Sequence, residues 1–252
     1  CVSLDGQRLE IKLHYVKNKT SNTSLKVVVY SPYIILNKTG ENIIISEKGN
    51  ITKVDGGRSE YVPDPTLFSF ANGTDPSNRA IVKINDSNWT DPLSFDAIGL
   101  STSYRAQING RQSEFNFGLE INEGSGKYRH TKVVSMVPRY VFRNKLDFDL
   151  QLVENGSTKV TVVKAGEMKA LFGLRRIEKK SFAVKFEPSS KPWSSPFLID
   201  DVGQIFLKVY KDNVGQVLLK VNTVLEGASM FIQVENASDN WPFSIRNFSD
   251  SD

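Results

Sequence analysis

The stretch "SPYIILN", residues 31–37, occurs in three related versions along the chain. The other two are "PRYVFRN" at 138–144 and "PFSIRN" at 242–247, and each version gives a proline, an aromatic residue, an apolar residue and a final asparagine. The final asparagines are 107 and then 103 residues apart. This period is longer than a solenoid unit and matches one small β-sandwich, so it predicts a tandem array of such modules.

A second motif has the same period. "WTDPLSFDAIG" at 89–99 corresponds to "WSSPFLIDDVG" at 193–203, and in both copies the tryptophan leads at equal spacing to a proline, an aspartate and a glycine. Two unrelated motifs that share one period of about a hundred residues indicate true repeats. The repeated landmarks of this motif are Trp89 and Trp193, Asp96 and Asp200, and Gly99 and Gly203.

Short runs of β-branched and aromatic residues fill the space between these motifs. "LKVVVY" at 25–30, "AIVKIN" at 80–85 and "QVLLKVNTV" at 216–224 are examples, and Gly, Asn, Asp and Pro separate them. Most runs alternate with a period of two, and no window has a convincing amphipathic helical pattern. The sequence therefore predicts an all-β fold of tandem β-sandwich modules, each of about 100 residues.

Module boundaries follow from a tail strand and a head strand that recur as a pair. "LEIKLHYV" precedes "LKVVVYSPY", and "VLLKVNTV" precedes "MFIQVEN" in the same way. We expect the chain to be an excerpt of a longer one. The predicted division is a preceding module's tail at 1–24, complete modules at 25–130 and 131–230, and the first strand of a following module at 231–252.

The asparagine of the first motif has a physical role in this scheme. Strand residues two apart share a face, so the asparagine points the same way as the core-forming aromatic residue of its copy. Those aromatic residues are Tyr33, Tyr140 and Phe243. A buried amide group without partners costs about 1–3 kcal/mol. We therefore expect Asn37, Asn144 and Asn247 to bond to backbone as clasps that close each repeat, or to contact a binding partner.

The tryptophan motif predicts structural roles as well. We expect its two tryptophans to fill module cores, and Pro92 and Pro196 to mark an edge or the first residue of a strand. Its glycines would supply a bulge or a positive φ angle. Its aspartates would cap turns, because one carboxylate in each module is too few for a calcium site.

Catalytic and cofactor motifs are lacking. His14 and His130 are the only histidines, and no nucleophile or carboxylate motif accompanies them. The sequence has no dinucleotide-binding, P-loop or zinc-ligand spacing. We therefore expect neither an enzyme, nor a cofactor, nor a bound metal.

Charge and hydropathy exclude two further classes. The net charge is +4, but the lysines are scattered among acidic residues, so the basic stripe that nucleic-acid binding needs is missing. The one basic cluster, "RRIEKK" at 175–180, is typical of a solvated loop. No run approaches the roughly 18 apolar residues that span a membrane, so we expect no direct membrane insertion.

The sequence gives conflicting indications of the cellular compartment. Cys1 is the only cysteine, so no disulfide can form within the chain, which favours the cytosol. Several Asn-x-Ser/Thr triplets, such as those at Asn72 and Asn88, would be glycosylation acceptors in a secreted protein. A secreted carbohydrate-binding or adhesive array therefore stays open, as does a purely structural spacer.

The motifs "SPYIILNKTG", "WSSPFLIDDVG" and "WPFSIRNFSD" recur in register, and together they resemble the adaptor-binding (VAB) domain of vacuolar protein sorting-associated protein 13. The resemblance covers the whole chain. It implies β-sandwich repeats that belong to a rod-shaped, bridge-like lipid-transfer protein, located in the cytoplasm and peripheral at organelle membrane contact sites. It also implies that the repeats bind Pro-x-Pro-containing peptides of organelle adaptor proteins, while the rest of the parent chain carries lipid.

Strand addition is the binding mode that fits such a peptide. An edge strand has unpaired N–H and C=O groups that an extended peptide can complete. The candidate edges are the head strands 25–36 and 231–246, because Pro32 and Pro242 lie within these strand-like runs and proline is tolerated mainly at edges.

Overall fold

The computed structural model describes residues 9–17, 25–56, 64–71, 78–99, 101–108 and 110–238. Phe243, Asn247 and Pro242, which belong to the third copy of the first motif, lie outside the described residues. Contacts divide the chain into two compact units. Unit 1 comprises Cys1–Arg139, Ala170–Arg176 and Gly227–Ser229, and unit 2 comprises Tyr140–Lys169, Ile177–Glu226 and Met230–Asp252.

Eleven strands precede residue 139, and a 3-10 helix at Gly126–Tyr128 is the only helix in the described ranges. The all-β fold class is therefore confirmed. These strands are β1 (Lys12–Lys17), β2 (Leu25–Tyr30), β3 (Tyr33–Asn37), β4 (Ile43–Glu47), β5 (Asn50–Val54), β6 (Thr66–Phe68), β7 (Arg79–Ile84), β8 (Leu93–Ser94), β9 (Ser101–Gln107), β10 (Ser113–Glu123) and β11 (Lys132–Pro138).

Ten further strands follow residue 139 in the described part of the chain. They are β12 (Tyr140–Asn144), β13 (Leu150–Glu154), β14 (Val160–Val163), β15 (Met168–Ala170), β16 (Leu174–Arg175), β17 (Ser181–Phe186), β18 (Phe197–Leu198), β19 (Gly203–Lys211), β20 (Gly215–Glu226) and β21 (Ser229–Asn236).

Unit 1 is a sandwich of two sheets with a small separate sheet. Its first sheet has the order β16-β10-β11-β3-β6, with β9 paired to β10, and its second has the order β5-β4-β7-β8. β1 and β2 form a two-stranded sheet. Alternating residues of both larger sheets point inward, and Ile35, Ile45, Val82, Phe95 and Phe117 are all fully buried in one core. Each such side chain stabilises the fold by about 1.5–3 kcal/mol.

Unit 2 has the same topology. Its first sheet has the order β15-β12-β21-β20-β19, and its second has the order β14-β13-β17-β18. The first strand of each sandwich, β3 in unit 1 and β12 in unit 2, pairs in parallel with β11 and with β21 respectively. Nine strands of unit 1 therefore have counterparts in unit 2, as the repeated motifs predict.

The parallel pairs also set the module boundary. β11 and β21 follow long antiparallel partners, but each also lies against the first strand of its own unit. The strand that the sequence pattern assigned to the head of the next module thus completes the present one. The division by contacts falls between Arg139 and Tyr140, whereas the sequence pattern placed it between residues 130 and 131.

The same pairings correct the predicted peptide-binding edges. β3 has β11 on one side and β6 on the other, and β21 lies between β12 and β20. The prediction that the head strands 25–36 and 231–246 are edges is therefore wrong for β3 and for β21. In the remainder of these runs, β2 has β1 as its partner among the described strands, and 239–246 lie outside the described residues. Pro32 does not mark an edge because it lies between β2 and β3, where its missing N–H costs no ladder bond, and its carbonyl accepts a hydrogen bond from the Lys132 amide at 2.9 Å.

Gly118 of β10 lies where the backbone leaves no room for a side chain. A Cβ atom there would meet Ala228 Cβ, Val137 Cγ2 at 2.8 Å and the Ala228 carbonyl oxygen at 2.9 Å. We expect Gly118→Ala to lower the free energy of unfolding by about 1–3 kcal/mol, because the crowded atoms must shift. Urea unfolding measures this. Ser103→Ala, which changes the exposed residue opposite Gly118 on β9, is the control and should have little effect.

Candidate functional site

Asn37 ends β3 and is fully buried. Its Nδ2 group donates to the carbonyl oxygens of Glu41 at 2.7 Å, Asp55 at 3.0 Å and Val54 at 3.3 Å, so its two hydrogens serve three acceptors. Its Oδ1 atom accepts from the Thr39 amide at 3.1 Å and from the Thr39 hydroxyl at 2.7 Å. The side chain is bonded to backbone as the strand pattern predicts.

Asn144 ends β12 and has the same arrangement. It is fully buried, and its Nδ2 group donates to Phe148 O at 2.8 Å, Lys164 O at 3.0 Å and Val163 O at 3.2 Å. Its Oδ1 atom accepts from the Leu146 amide at 3.0 Å. This second copy of the asparagine motif, at 138–144, has one extra residue between its proline and its aromatic residue. The extra residue leaves the asparagine geometry unchanged.

Each asparagine connects the two sheets of its unit. β3 and β12 belong to the first sheet, whereas the accepting carbonyls of Val54 and Val163 end β5 and β14 in the second sheet. The Asp55 and Lys164 carbonyls directly follow those two strands, and the Glu41 and Phe148 carbonyls lie in the turns after β3 and β12. The two side chains are thus placed as clasps. Whether either one also contacts a partner stays a prediction.

The structure brings the two sequence motifs of each unit together. The hydroxyl of Tyr33 donates to Asp96 Oδ1 at 2.9 Å, and the hydroxyl of Tyr140 donates to Asp200 Oδ1. The sequence predicted that these aspartates cap turns, but both receive a tyrosine hydroxyl instead. The third copy has Phe243 at the tyrosine position, and its side chain has no hydroxyl to donate.

The surroundings of the two aspartates differ. Asp96 also accepts from Asn78 Nδ2 at 2.7 Å and from Lys132 Nζ at 2.8 Å. Partial burial tends to raise the pKa of Asp96, but the hydrogen bonds from Lys132, Asn78 and Tyr33 and the charge of Lys132 together hold it below its ordinary value. Asp200 instead accepts from the Lys180 backbone amide at 2.7 Å. In unit 1 the Lys132 ammonium and the Asp96 carboxylate form a salt bridge at this position.

The tryptophans do not fill the cores. Trp89 is 41% exposed, and Trp193 is half-buried with the Lys185 ammonium 4.9 Å from its ring centroid. The prediction of core tryptophans is therefore wrong. The residue after each tryptophan is buried instead: the hydroxyls of Thr90 and Ser194 accept from the backbone amides of Val82 and Val184, each at 3.0 Å. The sequence signal for these buried hydroxyls was the Thr or Ser that directly follows each tryptophan.

The prolines and glycines of the tryptophan motif have the expected placement. Pro92 directly precedes β8 and Pro196 directly precedes β18, and both strands end their sheets. Gly99 has a φ angle of 79° and Gly203 one of 152°. Both values are positive, a region that side chains disfavour.

An apolar groove lies along one side of unit 2, next to β18 and β19. β19 ends its sheet, with β20 as its partner among the described strands. The cavity has a volume of about 440 Å³. We call it the edge groove, and its lining includes Pro196, Phe197, Leu198, Val202, Ile205 and Val221. Val202 and Ile205 are exposed apolar side chains, so the groove is open to a ligand.

Unit 1 has a polar cavity of about 290 Å³ beside the Tyr33–Asp96 pair, lined among others by Lys12, Asn78 and His130. Within the described ranges, no cluster of three or more His, Cys, Asp or Glu residues could hold a metal ion. No helix in the described part of the chain is long and apolar enough to cross a membrane.

The family model described as "Vacuolar-sorting associated protein 13, adaptor binding domain" matches residues 1–252. The chain belongs to this adaptor-binding domain family. The family match covers both units and the asparagine clasps. The resemblance that the repeated motifs indicated is therefore confirmed.

Relatives of this adaptor-binding domain support the assignment. Intermembrane lipid transfer protein VPS13 of Chaetomium thermophilum is 37% identical over 257 residues, which cover 98% of the chain and 8% of that protein. Intermembrane lipid transfer protein VPS13A of Mus musculus is 31% identical over 161 residues, covering 62% of the chain and 5% of that protein. For VPS13D of Homo sapiens the identity is 26% over 143 residues, with coverages of 52% and 3%. The chain spans less than a tenth of the length of these relatives.

The clasps predict equal losses of stability in the two units. Asn37→Ser and Asn144→Ser shorten the side chain and leave buried carbonyls unpaired, so each should lower the free energy of unfolding by about 1–3 kcal/mol. Thermal and urea unfolding measure the loss. Asn122→Ser, at an exposed asparagine of β10, is the control. Clasp variants that unfold like the wild type would contradict this role.

Asp96 predicts an acid dependence of stability. Its pKa is lowered in the folded protein, so its contribution is present above the ordinary carboxyl pKa of about 3.9 and is lost as the pH falls through the lower folded value. The difference in unfolding free energy between wild type and Asp96→Asn should therefore shrink between about pH 5 and pH 2. Urea unfolding at several pH values tests this. Asp91→Asn, which removes an exposed carboxylate of the same motif, is the control; a constant difference for Asp96→Asn would refute the assignment.

Proposed function

We propose that this adaptor-binding domain binds proline-containing segments of adaptor proteins, and so recruits a lipid-transfer protein to organelle membrane contact sites. The family supports adaptor binding in general terms. The structural observation that carries the finer proposal is the open side of β19 beside the edge groove of unit 2. The rest of the parent chain would carry the lipid, and the repeats would position it in the cytoplasm at the membrane.

The proposed mode is addition of a peptide strand along β19. An edge strand has N–H and C=O groups that pair with an extended peptide, and these bonds supply affinity without regard to sequence. β19 has nine residues, which is long enough to pair with a short motif. The partner strand would thus extend the sheet β15-β12-β21-β20-β19 by one strand.

The edge groove would select proline. A proline has no N–H to pair, so it fits an added strand where the N–H would point away from the sheet. Its ring is apolar and compact, and the groove beside β19 is lined by Phe197, Leu198 and Ile205. A Pro-x-Pro segment places two rings on the same face of the peptide strand, because residues two apart share a face. Both rings could then enter the groove.

The asparagine clasps would support this site indirectly. Asn144 is fully buried, so a peptide on the surface could not contact its side chain without unfolding the turn around it. Its role would be to hold β12 and β14 of unit 2 together. We therefore expect clasp variants to weaken peptide binding only to the extent that they destabilise the unit.

Peptide titration tests the proposal. Synthetic Pro-x-Pro peptides should bind with micromolar dissociation constants, about −8 kcal/mol, and binding should respond weakly to salt because backbone pairing and apolar contact dominate it. Ile205→Glu and Val202→Glu should each weaken binding by about tenfold or more, because they place a charge in the edge groove. Isothermal titration calorimetry measures the affinity, and circular dichroism checks the fold.

Val160→Glu is the matched control. Val160 is also an exposed valine on an end strand, β14, but it does not line the edge groove. This variant should bind like the wild type. If no proline-containing peptide binds the folded chain, a structural spacer becomes the better account. If peptides bind but the Ile205 and Val202 variants bind them equally well, the β19 site is wrong.

A further inference from the structure

One end of the core of unit 1 is covered by a segment that lies far along the sequence. Ala170–Arg176 belongs to unit 1 by its contacts, although the residues on both sides of it belong to unit 2. Leu171 and Leu174 of this segment are buried, and the Phe172 ring packs against the unit 1 core with its centroid 6.0 Å from that of Phe115. The segment thus acts as an apolar plug.

The plug is also an added strand. Its residues Leu174 and Arg175 form β16, which pairs antiparallel with Glu114 and Ser113 at the start of β10. The Arg176 amide continues the pairing by donating to the Gln112 carbonyl at 2.9 Å. Gly173, with a φ angle of 67°, makes the bend between the aromatic residue and the strand. A short peptide with an aromatic residue, a glycine and a leucine therefore completes this end of unit 1.

Backbone bonds identify the equivalent position in unit 2. The Arg139 amide donates to Asn116 O after β11, and the Ala237 amide donates to Leu218 O after β21. This register makes Leu219 the counterpart of Phe117, and both are fully buried. Two residues earlier, Val217 becomes the counterpart of Phe115, the residue that the plug covers in unit 1.

An open apolar groove lies at this position in unit 2. Its volume is about 320 Å³, and Phe148 and Val214 are 48% and 64% exposed. The Lys211 ammonium lies 2.9 Å from the Phe148 ring centroid. Among the described residues, the long Lys211 side chain therefore covers this ring. We call this site the end groove, and its apolar lining is Leu146, Phe148, Phe186, Val214, Val217 and Leu219.

We propose that the end groove of unit 2 is the docking site for the plug segment of a further repeat, with the chemistry of the Leu-Phe-Gly-Leu run at 171–174. The occupied counterpart in unit 1 is the argument, because the same strand order leaves the same core end open. The aromatic side chain would enter beside Val217, displace Lys211 from Phe148 and be followed by a short strand. Each repeat of the array would then be completed by its successor.

A peptide added in trans tests the proposal. A fluorescein-labelled peptide of residues 168–178, MKALFGLRRIE, is titrated with the 252-residue chain and followed by fluorescence anisotropy. We expect saturable binding that weakens about tenfold or more when Phe172 of the peptide is replaced by Ala. Phe148→Ser and Val214→Glu in the chain should cause a comparable loss, because both side chains are exposed and line the end groove but not the edge groove.

Ile205→Glu, in the edge groove, is the control and should leave binding unchanged. Under the proposed function the same variant weakens the binding of Pro-x-Pro peptides. The two proposals can therefore be refuted independently of each other. Absence of saturable binding would overturn the proposal, whatever else covers the groove. Binding that is insensitive to Phe148→Ser and Val214→Glu would overturn it as well, since the peptide would then occupy the plug site of unit 1 or another surface.

Discussion

A fully buried asparagine amide, Asn37 at the end of β3 and Asn144 at the end of β12, is the constraint on which we infer that the two sandwiches depend. Such a group needs hydrogen-bond partners, and in both units it finds them in two places: the turn that follows its own strand and the end of the second strand of the opposite sheet. Asn37 and Asn144 bond to equivalent carbonyl oxygens in these two places. The bonds join the turn after that strand to the end of the second strand of the opposite sheet, and they therefore connect the two sheets of each sandwich.

The sequence predicted much of this frame because the clasp is a polar exception within an apolar pattern. Its recurrence, in step with the tryptophan motif, was sufficient to predict the fold class and the repeat. The module boundary was not predictable in the same way, because β11 and β21 pair in parallel with strands about a hundred residues earlier. The Tyr33–Asp96 hydrogen bond likewise depends on how the two motifs lie against each other in space, and their spacing in the sequence does not reveal this. Trp89 was misplaced because size and apolar character do not determine which face of a segment is buried.

The two units share a frame but differ at their rims. Unit 1 has a polar cavity beside its tyrosine, and its core end is covered by Leu171, Phe172 and Leu174. Unit 2 has two apolar grooves, one beside its end strand β19 and one at its core end. A rigid frame with variable rims is how many binding scaffolds separate stability from recognition. In this adaptor-binding domain, the clasp would serve stability in every copy, while each rim could select its own ligand.

Hydrogen exchange of side-chain amides tests the clasp most directly. In a 15N-labelled chain, nuclear magnetic resonance should show the Nδ2 protons of Asn37 and Asn144 exchanging orders of magnitude more slowly than those of the exposed Asn213, because exchange requires opening of the unit. Both clasps should be protected, since the Nδ2 group of each donates to three backbone carbonyls. Exchange of either clasp at the rate of Asn213, in a chain whose backbone amides remain protected, would contradict the account.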